Sequence, residues 1–368
     1  MLKLNIISIM KKLFSLLSLF LMFLLSGCGD SDSGNIPDFS TGDESTGTKP
    51  SGEDYIILAY VWSGAEGLPD PSLLTHINYG FGNVNKSFDG IVIQRPENLK
   101  QIAGLKKQSP KLKICLSIGG YGKDSEGFSQ MARDAEKRKA FAKDCKRILD
   151  QYNIDGIDID WEYPTLSPDG LTSHPDDTKN YTLMMKEIRK AIGKDKLLTL
   201  ASSSGGECLN LKDLYPIVDY VNIMSYDLGT PPYHHSALYK SEHTGDVWDD
   251  EAVTLHKLKG FTVDKLVLGV PFYGHGDGTQ VPGWVDYNYL ITIKDKFTER
   301  WDDKAKVPYL VDNAGTFVCT FDNAKSLGYK CQYVKEKGLK GIMYWRYDAD
   351  DANGTLRKAV YNGLMNNL

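Results

Sequence analysis

Eight short apolar runs separated by helical patterns, with no glycine-rich phosphate loop after the first, predict an α/β fold closed into a parallel (β/α)8 barrel. The runs are Tyr55–Trp62, His76–Val84, Leu112–Ile118, Ile154–Glu162, Leu197–Ser202, Val218–Tyr226, Leu266–Tyr273 and Gly341–Trp345. Most are almost continuously apolar, as expected of strands covered on both faces. The length agrees: beyond an atypical N-terminus roughly 315 residues remain, normal for such a barrel. The alternative, an open doubly wound sheet, needs a glycine-rich turn after its first strand, and Tyr60-Val61-Trp62-Ser63 is not one.

The chain begins with Lys3, Lys11 and Lys12 ahead of the apolar run Leu13–Leu25, which is short for a membrane span and has the order of a secretory signal. The run ends in Leu25-Ser26-Gly27-Cys28 and resembles the lipobox of bacterial lipoproteins. Residues 1–27 are therefore expected to be a signal peptide and Cys28 to carry the lipid. Residues 28–53, rich in Gly, Ser, Asp, Thr and Pro, cannot bury a core and read as a flexible tether. Their start, Gly29-Asp30-Ser31-Asp32, resembles the surface-export signal of lipoproteins in some Gram-negative bacteria. The expected location is a bacterial membrane, at the outer membrane or cell surface, reached through the lipid anchor. Residues 54–368 are expected to form the barrel, with a short insertion after its seventh strand.

Between the strands, apolar residues recur at helical spacing over Phe128–Gln151, Asp176–Ile192, Glu251–Lys259, Asn323–Lys337 and Gly354–Leu364, with Asp322 expected as a cap. The net charge of −5 and the absence of a basic run give no footprint for nucleic acid. Apart from Cys28 there are Cys115, Cys145, Cys208, Cys319 and Cys331. An odd count without a CxxC pair argues against a disulfide framework and a zinc site. Cys115, inside an apolar run, is expected simply to be buried.

The barrel is organised around Asp155-Gly156-Ile157-Asp158-Ile159-Asp160-Trp161-Glu162-Tyr163-Pro164. On a strand, residues two apart share a face, so Asp158, Asp160 and Glu162 project side by side. Stacked carboxylates repel, and such a row is expected to retain a proton at neutral pH, a way of keeping an acid ready to donate. Glu162 lies nearest the C-terminal end of the strand, where barrels of this class place their reacting groups. A solvated acidic edge or a calcium loop would explain the acids otherwise, but a calcium loop needs oxygen ligands on a curved, glycine-containing turn.

The same strand-end rule selects Tyr60 and Trp62, Tyr79 and Phe81, Ser117-Ile118-Gly119-Gly120, Met224-Ser225-Tyr226-Asp227, Phe272-Tyr273-Gly274 and Tyr344-Trp345-Arg346. The expected mouth is a cup of aromatics around a few carboxylates. Aromatic faces suit the apolar faces of sugar rings, and an acid–base pair among them suits glycoside cleavage.

Taken together, Asp155 to Glu162 (DxxDxDxE), Ser117-Ile118-Gly119-Gly120 (SxGG), Met224-Ser225-Tyr226-Asp227, Leu268-Gly269-Val270-Pro271-Phe272-Tyr273-Gly274 and Gly341-Ile342-Met343-Tyr344-Trp345 resemble the motifs of glycoside hydrolase family 18, the chitinase-type family. The resemblance runs from Tyr55 to about Leu364. It implies that Glu162 is the general acid, that Asp160 holds the acetamido N–H of the sugar and stabilises an oxazolinium ion, and that Asp158 shares a proton with Asp160. Tyr60 and Ser117 would hydrogen-bond that inner acid. Tyr226 would donate to the acetamido oxygen, Asp227 would bind at the same subsite and Trp345 would floor it; Phe81, Gly119, Gly120 and Met224 complete the sugar-binding set. The implied reaction is retaining and substrate-assisted, with no metal or organic cofactor, on an oligo- or polysaccharide of N-acetylglucosamine.

This sequence departs from the family pattern at His275, where Arg is common; no catalytic role is expected for it. The segment 275–321 reads as too short for the α+β subdomain many members carry, which predicts a shallower cleft. Trp284, Tyr287, Tyr289 and Trp301 would line its remaining wall or pack the segment onto the barrel. Two other functions stay open: an endo-β-N-acetylglucosaminidase acting on the chitobiose core of N-glycans, and a non-catalytic glycan-binding barrel. The second is opposed by the presence of Glu162.

Overall fold

The computed structural model of the chain describes residues 55–366. The signal peptide, Cys28 and the tether expected over 1–53 lie outside the described residues. In chain order the strands are β1 Ile56–Trp62, β2 His76–Val84, β3 Ile91–Ile93, β4 Lys113–Tyr121, β5 Gly156–Glu162, β6 Leu197–Ser203, β7 Tyr220–Met224, β8 Leu266–Pro271, β9 Tyr273–Gly276, β10 Val285–Asp286, β11 Thr298–Asp302, β12 Val307–Val311, β13 Phe317–Thr320 and β14 Gly341–Trp345. Eight of them, β1, β2, β4, β5, β6, β7, β8 and β14, are parallel neighbours around a ring that β1 closes by pairing with β2. This is the predicted (β/α)8, or TIM, barrel.

Period-two alternation explains why its strands read as continuously apolar. On β1, Ile56, Leu58 and Tyr60 fill the barrel interior with Tyr220, Val267 and Met343. Ile57, Ala59 and Val61 face the layer beneath the helices. At the lower end, Asp155 takes Lys106 Nζ at 2.9 Å and the Ile114 N–H at 2.9 Å, tying the entry of β5 to β4. The first acid of the motif thus serves stability at the N-terminal face, while the later ones approach the mouth.

The register of β4 against β5 sets Ser117 beside Asp158, Gly119 beside Asp160 and Tyr121 beside Glu162. Gly119 has φ 118°, and a Cβ there would stand 2.0 Å from the Asp160 carbonyl oxygen. Only glycine permits that approach.

Three expectations need correction. The pattern over Phe128–Gln151 is two helices, Phe128–Ala132 and Ala135–Tyr152, because the Asp134 carboxylate caps the second by accepting from the N–H groups of Glu136 and Lys137. The helix Ala324–Lys337 is capped by Asn323, in a capping box with Ser326, and not by Asp322. Asp322 is buried and pairs with Lys330 at 2.9 Å, and the equally buried Asp249 lies 3.2 Å from the same ammonium.

The third correction concerns the segment after the seventh barrel strand. It is an α+β unit: β9–β13 form a five-stranded antiparallel sheet in the order β10-β9-β13-β12-β11, with the helix Tyr287–Ile293 between β10 and β11. Tight connections make this possible, including the Asp277 turn, whose carboxylate accepts three successive backbone N–H groups. The unit is therefore built within the segment that read as too short for it.

All five described cysteines are free, and Cys115 is buried as expected. Among the described residues no helix is long and apolar enough to cross a membrane.

Candidate active site

The C-terminal strand ends surround a cleft of about 750 Å³. Of the residues expected to act there, Tyr60, Phe81, Asp160, Glu162, Met224, Tyr226, Asp227 and Trp345 line its wall. Trp345 forms the floor, its ring stacked on Phe81 and edge-on to Tyr60, each at 5.8 Å between centroids.

Ser117, Gly119 and Gly120, expected to touch sugar, are not on the wall. Ser117 is fully buried and spends its hydroxyl on Asp158, while the two glycines bring β4 close against β5 and Phe81. Asp158 is also sealed below the cleft. It accepts from Tyr60 Oη and Ser117 Oγ at 2.8 Å, Thr199 Oγ1 at 2.6 Å and Asn222 Nδ2 at 3.3 Å. The hydrogen bonds expected from Tyr60 and Ser117 are therefore made, and two further donors join them.

That saturation changes the proton inventory. Both oxygens of Asp158 already receive donors, so the expected proton shared with Asp160 is not found. Asp160 is instead hydrogen-bonded to Glu162. Burial, then the neighbouring charges of Glu162 and Asp158, push the Asp160 carboxyl well above its ordinary range. Burial raises Glu162 to about 7, opposed by hydrogen bonds from Tyr163 and Asp160 and reinforced by the charge of Asp227. Both carboxyls of the pair are thus raised, and a hydrogen bond joins them. Asp160 Oδ1 is buried and has no hydrogen-bond partner among the described residues. An unpaired buried carboxyl oxygen carries a desolvation cost that a ligand donor can relieve.

Tyr226 borders the same space. Its hydroxyl has only a weak contact, 4.0 Å from Met343 Sδ, and is available as a donor. Asp227, in the left-handed region at φ 60°, accepts from Tyr273 Oη at 2.6 Å and from His275 Nε2 at 2.7 Å. Burial pushes Asp227 up, but these hydrogen bonds and the nearby His235 outweigh it and hold the carboxyl well below the usual range. Burial lowers His275 less than Asp227 and the Gly283 carbonyl raise it. The Gly283 carbonyl and the Asp227 carboxylate thus favour the protonated form of His275, where the family pattern has Arg.

Of the four aromatics expected in the insertion, Trp284 lines the cleft, stacked on Tyr273 at 3.7 Å. Tyr287 is buried, Trp301 packs on Tyr329 under Lys325, and exposed Tyr289 lies off the wall. Tyr79, Phe272 and Tyr344 are fully buried in the layer outside the barrel and do not join the cup. The cleft also contains Trp62, whose ring lies under the Arg346 guanidinium, together with Tyr121 and Asp124.

Sequence reasoning gave no role to Tyr163, Thr199, Asn222 or His235. A polar residue inside an apolar strand, as at Asn222, was a usable sign of an interior partner for a buried charge. Nothing in the pattern around His235 signalled its position.

The family model for Glycosyl hydrolases family 18 matches residues 46–350. Chitinase A1 of Niallia circulans is 32% identical over 85% of this chain, which spans about half of that relative, 54% of its length. Chitinase B of Serratia marcescens is 28% identical over 78% of this chain and 75% of its own. A solved structure described as a novel glycoside hydrolase family 18 N-acetylglucosaminidase from Paenibacillus barengoltzii aligns at TM-score 0.75 and 31% identity. That alignment covers 84% of this chain and 99% of the other.

Proposed function

This chain belongs to glycosyl hydrolases family 18, and from that premise we propose that it is a retaining glycosidase hydrolysing β-1,4-linked N-acetylglucosamine oligomers of the chitin type. One observation carries the reading: beside a carboxyl raised to about 7 lies Asp160 Oδ1, buried and unpartnered at an aromatic-floored cleft. An acetamido N–H is the donor such an oxygen lacks. With the sugar seated on Trp345, Asp160 would bind that N–H and Tyr226 would donate to the acetamido oxygen, turning it toward the anomeric carbon.

Glu162 would protonate the glycosidic oxygen as the acetamido oxygen attacks, giving an oxazolinium ion and the free leaving sugar. Asp160 then stabilises the cation. Glu162, now a carboxylate, removes a proton from the water that opens the ring, restoring its own proton with net retention. Asp158 acts through Asp160 from beneath the cleft, and Tyr163 orients Glu162. No step calls for a metal or an organic cofactor.

A second reading, release of single N-acetylglucosamine units, is supported by the Paenibacillus barengoltzii structure, whose whole length aligns with this chain. The test is product release from defined chitooligosaccharides and from an N-glycoprotein, run side by side. Internal cleavage of the oligomers supports a chitinase and monomer release from one end the second reading. Activity confined to the glycoprotein would replace both with cleavage of chitobiose cores, and binding without product would mark a glycan-binding barrel.

We also propose that Cys28 carries a lipid anchor to a bacterial outer membrane or cell surface, supported by the order of charges and apolar residues before it. Cys28→Ala is expected to release an active protein from the membrane fraction. Retention of the variant in that fraction would exclude the lipid anchor.

A further inference from the structure

Beside the cleft, Asp227, His235 and His275 bring one potential metal-ligating atom each within 4.8 Å of the others. Asp227 Oδ1 lies 2.7 Å from His275 Nε2 and 3.8 Å from His235 Nδ1. The hydrogen bonds of this group are incomplete. His275 Nδ1 is 2.7 Å from the Gly283 carbonyl, which can only accept, so Nδ1 carries a hydrogen and Nε2 is the atom aimed at Asp227. To bond a carboxylate, Nε2 must then carry a second proton. His235 is only 1% exposed, yet neither of its ring nitrogens has a hydrogen-bond partner among the described residues. Its Nδ1 faces Asp227 from beyond hydrogen-bond reach.

A single cation among the three atoms satisfies Nδ1 of His235, leaving only its Nε2 without a partner among the described residues, and takes the place of the Nε2 proton of His275. In a tetrahedral site with bonds of about 2.0–2.1 Å, neighbouring ligand atoms stand about 3.3 Å apart. The observed 2.7 and 3.8 Å fall on either side, so the two pairs that involve Asp227 need to shift by about half an ångström, while the two histidine nitrogens lie within 4.8 Å of each other. Outer partners are in place. The Gly283 carbonyl fixes the His275 ring, and Tyr273 Oη donates to Asp227, the arrangement that orients ligating imidazoles and carboxylates. The Asp227 side chain is half exposed, which leaves an entry path and an open fourth position for water.

We propose that Asp227, His235 and His275 form a binding site for one divalent transition-metal ion of the zinc type. Two imidazoles and one carboxylate favour Zn²⁺, Co²⁺, Ni²⁺ or Cu²⁺ over Mg²⁺ and Ca²⁺. The ion is not part of the reaction described above. It occupies Asp227 and thereby withdraws it from the sugar, so the metal is an inhibitor, a consequence that rests on the glycosidase reading.

The test is titration of the full chain, freed of metal with EDTA, by Co²⁺ followed through its visible absorption and by Zn²⁺ followed by calorimetry. One ion per chain is expected. Below the pH at which His275 loses its second proton, one proton should be released per ion, read from the binding heat in buffers of different ionisation enthalpy. His275→Gln keeps an amide N–H for Asp227 but cannot ligate. It should weaken binding at least about 100-fold, beyond the 10–100-fold typical of losing an outer partner. His235→Asn should do the same, with circular dichroism confirming that both variants are folded. Absence of a cobalt band, or binding that both variants leave unchanged, would overturn the site. A cobalt band in a protein that hydrolyses no N-acetylglucosamine oligomer would leave the site standing and remove only the inhibitory role.

Discussion

Glu162→Gln is expected to lower turnover of N-acetylglucosamine oligomers by at least about 10²–10⁴-fold, the range a positioned general acid supplies, while oligosaccharide binding persists. The amide keeps the shape of the side chain and removes the proton. Trp345, Phe81, Tyr60 and Trp284, which line the cleft, are untouched. The pH profile gives a second readout. Glu162 must be protonated to act, and its carboxyl is raised to about 7. Activity should therefore be present below that pH and fall about tenfold per unit above it, one proton being lost from the acid. The residual activity of Glu162→Gln should lack that alkaline limb. Near-normal turnover in the variant, or an alkaline limb that survives it, would show that another group donates the proton.

Oligomers of glucosamine, lacking the acetyl group, are expected to bind along the same cleft and remain uncleaved. The reason lies in where a nucleophile can come from. Asp158 is sealed beneath the cleft by four donors, and Asp160 is committed to Glu162 on the same strand. With these partners, neither carboxylate is expected to attack the anomeric carbon from the side opposite Glu162. In the proposed reaction the acetamido oxygen is the nucleophile, and a substrate without it has none. A thiazoline that imitates the cyclic ion should inhibit, because Asp160 and Tyr226 offer it a carboxylate and a free phenol. Asp160→Ala and Tyr226→Phe should each weaken that inhibition more than they weaken substrate binding. A trapped covalent sugar–enzyme ester, or brisk hydrolysis of glucosamine oligomers, would move the nucleophile back to the protein.

The charge balance of the cleft bears on both experiments. Glu162 stays protonated near neutrality partly because Asp227, an anion, stands close to it. Asp227 in turn is held in its anionic form by the hydrogen bonds of Tyr273 and His275. A histidine can lose its charge within a range where arginine keeps it. This cleft therefore has a titratable group where the family pattern has a fixed one.

The barrel itself was legible in the sequence, and for a simple reason. Strands covered on both faces must be apolar along their whole length, so eight of them announce themselves, and the spacing between them leaves room for helices. The acids of β5 were equally legible: a strand has a strict period of two, so Asp158, Asp160 and Glu162 share a face whatever surrounds them. Periodicity also separates inward from outward residues in principle. Yet a run that is apolar on both faces does not reveal which face is which, and so Tyr79, Phe272 and Tyr344 were grouped with the cup although they pack outside it.

What the tertiary structure alone decided is how the polar atoms pair. Carboxyl protons go where donors are lacking, and donors come from distant strands: Thr199 from β6 and Asn222 from β7 saturate Asp158 and leave the proton between Asp160 and Glu162. The histidine beside Asp227, His275, arrives from β9, and its ring is turned by a carbonyl at Gly283. The α+β unit of β9–β13 escaped the sequence because its segment read as too short; its strands are short and its turns are held by single carboxylates such as Asp277. Local pattern determines which residues lie on a strand and on which side. Partners across the barrel, set by register and closure, determine which acid keeps its proton.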